Sequence, residues 1–153
     1  MSEKEREEMI DKLKEFFLKK AQEVGVDLVF LYGSWARGFP KADSDVDLAV
    51  NFKVEEEEEV FKAIAELSLS LMRDIKKEVS IIPIFSDFRK PMLYYNAVVL
   101  GEPIYIGERG KYIRFFVEAI CQMEDFNIFG TKWQRYAAQK NLSEVRHGGI
   151  HLR

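Results

Sequence analysis

The sequence predicts an α/β fold: a small mixed sheet flanked by helices, with a C-terminal helical segment packed on it. Three observations carry this expectation. Short apolar runs rich in β-branched and aromatic residues (Val26 to Tyr32, Asp45 to Phe52, Val79 to Phe85) alternate with longer stretches of helical periodicity. Hydrophobic residues make up 47% of 153, with 12 Phe and 6 Tyr, which suits one well-packed core and leaves too little chain for two ordinary domains. No internal repeat and no linker-like stretch interrupts the pattern.

Ser2 with Glu5 three residues on reads as a capping box. Ile10, Leu13, Phe16, Phe17, Ala21 and Val24 then recur at helical spacing until Gly25 closes the helix. Val26 to Tyr32 is the first strand and runs straight into a Gly33-Ser34 turn. Residues 41–44 form a loop, and Asp45 to Phe52 make the second strand. Glu55 to Glu59 read as the solvated, acid-rich start of a helix whose stripe is Val60, Phe61, Ile64, Leu67, Leu71, Met72 and Ile75. Pro83 marks the strand from Val79 as an edge strand, or as reaching its last paired residues there. Lys90-Pro91 opens the next helix, Gly101 ends it, and Pro103 to Ile106 add a short strand. From Glu108 the chain is helical again, with Tyr112, Phe115, Phe116, Ala119, Ile120 and Met123 as its stripe. Phe126, Phe129, Trp133 and Tyr136 extend an aromatic surface that is core, a partner surface or a stacking platform for adenine, with core packing the default. Residues 1–107 are expected to form the main domain, and 108–153 a helical extension packed on it.

Chemistry concentrates in two places. Strand alternation puts Asp45 and Asp47 on one face, and Val46, Leu48 and Val50 on the other. Two carboxylates so close repel each other, and a hard divalent cation with oxygen ligands offsets that repulsion. Ten residues separate this pair from Ser34, whose hydroxyl and N–H suit an anion, while Gly33 permits close backbone approach. A phosphate site beside a Mg²⁺ site is the chemistry of nucleotidyl transfer.

The balance of the chain narrows the substrate. A net charge of −3 without a dense Lys/Arg stripe argues against a long nucleic acid, though not against free ATP. One cysteine, Cys121, rules out an internal disulfide and is expected to be a small core hydrophobe in a reducing compartment. The charged N-terminus lacks the apolar region of a signal peptide, and no run reaches a membrane span, so a soluble cytoplasmic protein is expected. His147 and His151 flank Gly148-Gly149 and read as a basic tail, not a zinc pair. A homo-oligomer is compatible with all of this.

The run Leu31-Tyr32-Gly33-Ser34-Trp35-Ala36-Arg37-Gly38, followed by Ser44-Asp45-Val46-Asp47-Leu48, resembles the nucleotidyltransferase signature of the DNA polymerase β-like superfamily. Beyond it, residues 5 to about 140 are similar to minimal nucleotidyltransferases, in particular the antitoxins encoded beside HEPN-type ribonuclease toxins. That resemblance implies a polymerase β-like fold and a Mg²⁺-dependent transfer of AMP from ATP to a hydroxyl, in the antitoxins a tyrosine of the partner toxin. It implies that Gly33 and Ser34, with Ser44, contact the nucleotide and that Asp45 and Asp47 hold the metal. Arg37 matches the family's Ala-Arg-Gly and reaches either phosphate or a structural partner at Asp43 or Asp45.

One position departs from the family. Its third carboxylate stands on the neighbouring strand, where this chain has Ser80 in Val79-Ser80-Ile81-Ile82. Glu78 has the same parity as Ser80 and is the candidate replacement, counted here with Asp45 and Asp47 as catalytic. The alternative is a vestigial site in an antitoxin that neutralises its toxin by binding alone. A small-molecule acceptor, as in aminoglycoside-modifying relatives, would need a pocket the sequence does not reveal.

Overall fold

The computed structural model describes residues 3–37 and 45–124. The elements run α1 (Glu3–Val24), β1 (Val26–Tyr32), α2 (Ser34–Arg37), β2 (Val46–Phe52), α3 (Glu57–Ile75), β3 (Val79–Pro83), α4 (Pro91–Val98) and β4 (Glu102–Ile106). A fifth helix, α5, follows over residues 109–124. The expected cap at Ser2, the loop 41–44, the aromatic residues from Phe126 and the two histidines lie outside the described residues.

The four strands form one mixed sheet in the order β3-β2-β1-β4. β1 pairs antiparallel with both β2 and β4, and β2 pairs parallel with β3. β3 is therefore an edge strand, and Pro83 is also its last residue, so the missing N–H costs no central ladder bond.

Both faces of the central strands are covered, which is why β1 is apolar without a break from Leu28 to Leu31. Val29 and Leu31 point into a core with Leu13 and Phe17 of α1, Leu48 and Val50 of β2, and Leu67 and Leu71 of α3. Leu28 and Phe30 point the other way, into a second core with Ala49, Ile84, Tyr94 and Ala97 of α4, and Phe115 and Ala119 of α5. Val26 breaks the alternation because the β1–β2 register shifts between Val26 and Leu28. Burying each Leu or Phe contributes about 1.5–3 kcal/mol, so two such layers supply most of the drive to fold. Lys111 of α5 adds a partly sheltered ion pair with Asp27 at 3.0 Å, tying that helix to the start of β1.

Three expectations change. Cys121 is exposed: Phe115 and Ala119 set the buried face of α5, and a residue two places after Ala119 falls on the opposite side. Phe61 and Met72 are exposed as well, because the buried face of α3 runs through Val60, Leu67, Leu71 and Ile75. The strand from Val79 stops at Pro83 instead of reaching Phe85. The acidic run has a structural use: Glu55 accepts from the Ser86 N–H at 2.8 Å and Glu57 pairs with Arg89 at 2.6 Å, tethering the segment after β3.

Candidate active site

The site begins where β1 ends. Gly33 adopts φ +76°, a left-handed conformation that glycine tolerates and most residues do not, and α2 starts at the next residue. Tyr32 is the register partner of Asp47 on β2, so this turn lies over the aspartate. The approach is close: a Cβ added to Gly33 would sit 2.6 Å from Asp47 Oδ2. Any side chain there would displace the carboxylate, which gives this glycine a steric reason independent of its φ.

β3 supplies the other wall. In the parallel ladder Asp47 stands beside Ser80 and Val46 beside Val79. The Val46 N–H donates to the Glu78 carbonyl at 2.9 Å, which sets Glu78 alongside Asp45 one step earlier. Asp47 shares strand parity with Ala49, and Ser80 with Ile82, both on the α4/α5 side of the sheet. Asp45, Glu78 and Ser80 are exposed and Asp47 is half-buried, so the corner opens to solvent. Burial, and then the charge of Asp45, push the Asp47 carboxyl above its usual range. Burial and the charge of Asp47 push the Tyr32 hydroxyl up to about 12. Among the described residues no three acidic, histidine or cysteine side chains come close enough together to hold a metal, so Glu78 does not close a cluster with the two aspartates.

The donors present suit a hard cation: Asp47 on β2 and Asp45 one residue before that strand, close enough that burial and then the charge of Asp45 raise the Asp47 pKa. Asp45 and Asp47 are the residues that would hold such a cation. Ser34 is partly exposed at the first position of α2, Arg37 is that helix's last residue, and Ser44 lies outside the described residues.

Two residues that the sequence reading left out matter here. One is Tyr32, which walls the corner. The other is Arg6 of α1, which donates from Nε to the Trp35 carbonyl at 2.7 Å and from its terminal nitrogen to the Ala36 carbonyl at 3.1 Å. A four-residue helix cannot sustain itself, and its last carbonyls need partners from elsewhere. Arg6 supplies them, while the Trp35 side chain is buried in the first core. No local signal links positions 29 residues apart. Arg6→Met is expected to lower stability by about 1–2 kcal/mol in urea unfolding and to red-shift Trp35 emission in a Trp133→Phe background. An unchanged emission maximum would show that Arg6 does not fix the turn.

Comparison with known proteins gives a consistent picture. A family model described as polymerase beta, nucleotidyltransferase, matches residues 11–109. Comparison with curated proteins returns no match. Among solved structures, a toxin–antitoxin crystal structure with AMP-PNP superposes with a TM-score of 0.61 at 20% identity, covering 85% of this chain and 98% of the other. An MNT antitoxin in complex with a tri-AMPylated Shewanella oneidensis HEPN toxin gives 0.57 at 18% identity, covering 88% and 98%. A minimal nucleotidyltransferase structure gives 0.50 at 29% identity, covering 65% and 94%. The antitoxin similarities show a shared fold. The family model spans β1, the Gly33 turn, the aspartate strand β2 and the neighbouring β3, and with that match the chain belongs to the polymerase β nucleotidyltransferase family.

Proposed function

We propose that this protein is a Mg²⁺-dependent nucleotidyltransferase that moves AMP from ATP to a hydroxyl of a HEPN-type toxin, acting as its antitoxin in the cytoplasm. The observation that carries the reading is the contact of Gly33 with Asp47, which brings the Gly-Ser turn against the carboxylate pair. Neighbours of the same fold include a complex with an AMPylated HEPN toxin and one with an ATP analogue, and both support it.

Gly33 and Ser34 present backbone and hydroxyl groups to the phosphates, and Asp47 of β2 faces them with Asp45 just before that strand. When bound, Mg²⁺ neutralises the charge that builds on the triphosphate. The acceptor oxygen bonds to the α-phosphorus, the bond to the bridging oxygen breaks, pyrophosphate leaves, and the hydroxyl proton passes to a base. Glu78, exposed beside Asp45, is the carboxylate we assign to that role.

The second reading is an antitoxin with a vestigial site, favoured by Ser80 standing directly beside Asp47. The two separate on incorporation of labelled AMP into co-expressed toxin. The first expects slow Mg²⁺-dependent labelling on a tyrosine. Stoichiometric neutralisation with no label would establish the second.

A further inference from the structure

We propose that the cleft between the β1–α2 corner and α4 is the base subsite of the nucleotide, and that Asn96 selects adenine there. The inference rests on the nucleotide reading above. Tyr32, Gly33 and Ala36 form one wall of this cleft, and Leu93, Asn96 and Leu100 form the other, enclosing about 220 Å³. Two of its residues already belong to the acidic corner: Tyr32 pairs with Asp47 across the ladder, and Gly33 lies against its carboxylate. A triphosphate held by the corner therefore has this cleft as its adjoining space. A larger hollow, about 450 Å³ between α1 and α3, is lined by residues such as Phe16 and Leu67, whose core lies on the opposite side of the sheet from Asp47 and its Ala49-side neighbours.

The lining matches a planar heterocycle with one polar edge. Tyr32 offers an aromatic ring and Leu93 and Leu100 offer aliphatic walls, with Leu100 62% exposed and so gaining cover from a bound base. Asn96 is partly exposed, and its carboxamide has no hydrogen-bond partner among the described residues. A carboxamide presents a donor and an acceptor side by side, which pairs with the amino group and adjacent ring nitrogen of adenine. An aspartate in its place would only accept, and would instead suit the ring N–H and amino group of guanine.

The test is calorimetric binding of ATP, GTP and inorganic tripolyphosphate, each with Mg²⁺, to wild type, Asn96→Asp and Leu93→Trp. Wild type should bind ATP roughly tenfold or more tightly than GTP or tripolyphosphate, the scale of one good bidentate base contact. Leu93→Trp, which fills the cleft, should reduce ATP to the level of tripolyphosphate, and Asn96→Asp should erase or reverse the preference for ATP over GTP. Tripolyphosphate binding by each variant reports that the fold and the phosphate site are intact. Equal wild-type affinity for ATP and tripolyphosphate would overturn the base subsite while leaving the proposed function standing. Unchanged ATP affinity and selectivity in both variants would overturn it equally. Binding of neither ligand by wild type would overturn both.

Discussion

Replacing Asp45 and Asp47 together by Asn is expected to abolish Mg²⁺-dependent ATP binding while making the apo protein more stable. The two effects have one cause. Asp47 is half-buried beside a second carboxylate, so its ionised form is disfavoured in the folded state and its pKa is raised. A carboxyl with a raised folded pKa costs stability once the pH exceeds that value, and the cost disappears below its unfolded value, near 3.8. At pH 7 the double variant should therefore melt about 1–3 °C higher than wild type, a modest shift because the corner is open to solvent. The gain should shrink as the pH falls through the raised pKa of Asp47 and vanish in acid. Calorimetric titration and thermal melts across pH 3 to 8, a range of about five units, check both halves. A variant that still binds Mg²⁺-ATP with wild-type affinity would remove the metal assignment, whatever its stability.

The second large effect concerns the missing third carboxylate. Glu78→Gln should lower the rate of AMP transfer by about 10²-fold or more, the usual worth of a positioned base, and leave Mg²⁺-ATP affinity nearly unchanged. Ser80→Asp should raise the rate, because residue 80 stands directly beside Asp47 in the parallel ladder and is exposed on the same face. Rates of labelled AMP incorporation into the toxin, measured for wild type and both variants, decide the matter. Fast wild-type transfer indifferent to Glu78 would contradict this account and point to a two-carboxylate mechanism. Negligible transfer in wild type and Glu78→Gln, rescued in Ser80→Asp, would identify a decayed site.

The sequence made the local features of the site legible, because each is written in neighbouring residues. A spacing of two put Asp45, one residue before β2, close enough to act on Asp47, a glycine after an apolar run marked the turn, and Pro83 marked the limit of an edge strand. Features made by distant segments were not legible. The Arg6 contacts with the α2 carbonyls join residues 29 and 30 apart, and nothing near Arg6 distinguishes it from the other charges on α1. The wall that α4 builds opposite Tyr32 depends on where that helix packs, which its own periodicity does not encode. The apolar stripes of α3 and α5 predicted helices correctly but overcounted the buried face: Phe61, Met72 and Cys121 are helical and exposed. A helix stripe read from sequence includes flanking positions, and only the sheet beneath decides which of them reach the core.

With Asp45 and Asp47 as the proposed metal ligands, a divalent cation bound with nucleotide should lie close to both the Asp45–Asp47 segment and the Gly33–Ser34 turn. Mn²⁺ in place of Mg²⁺ makes that location visible, because its paramagnetism broadens amide resonances according to distance. With ATP present, substoichiometric Mn²⁺ should first broaden Gly33, Ser34 and residues 45–47, and removing ATP should weaken the effect. Broadening centred instead on the acidic start of α3, at Glu57 to Glu59, would contradict the assignment and leave the aspartate pair without its proposed role.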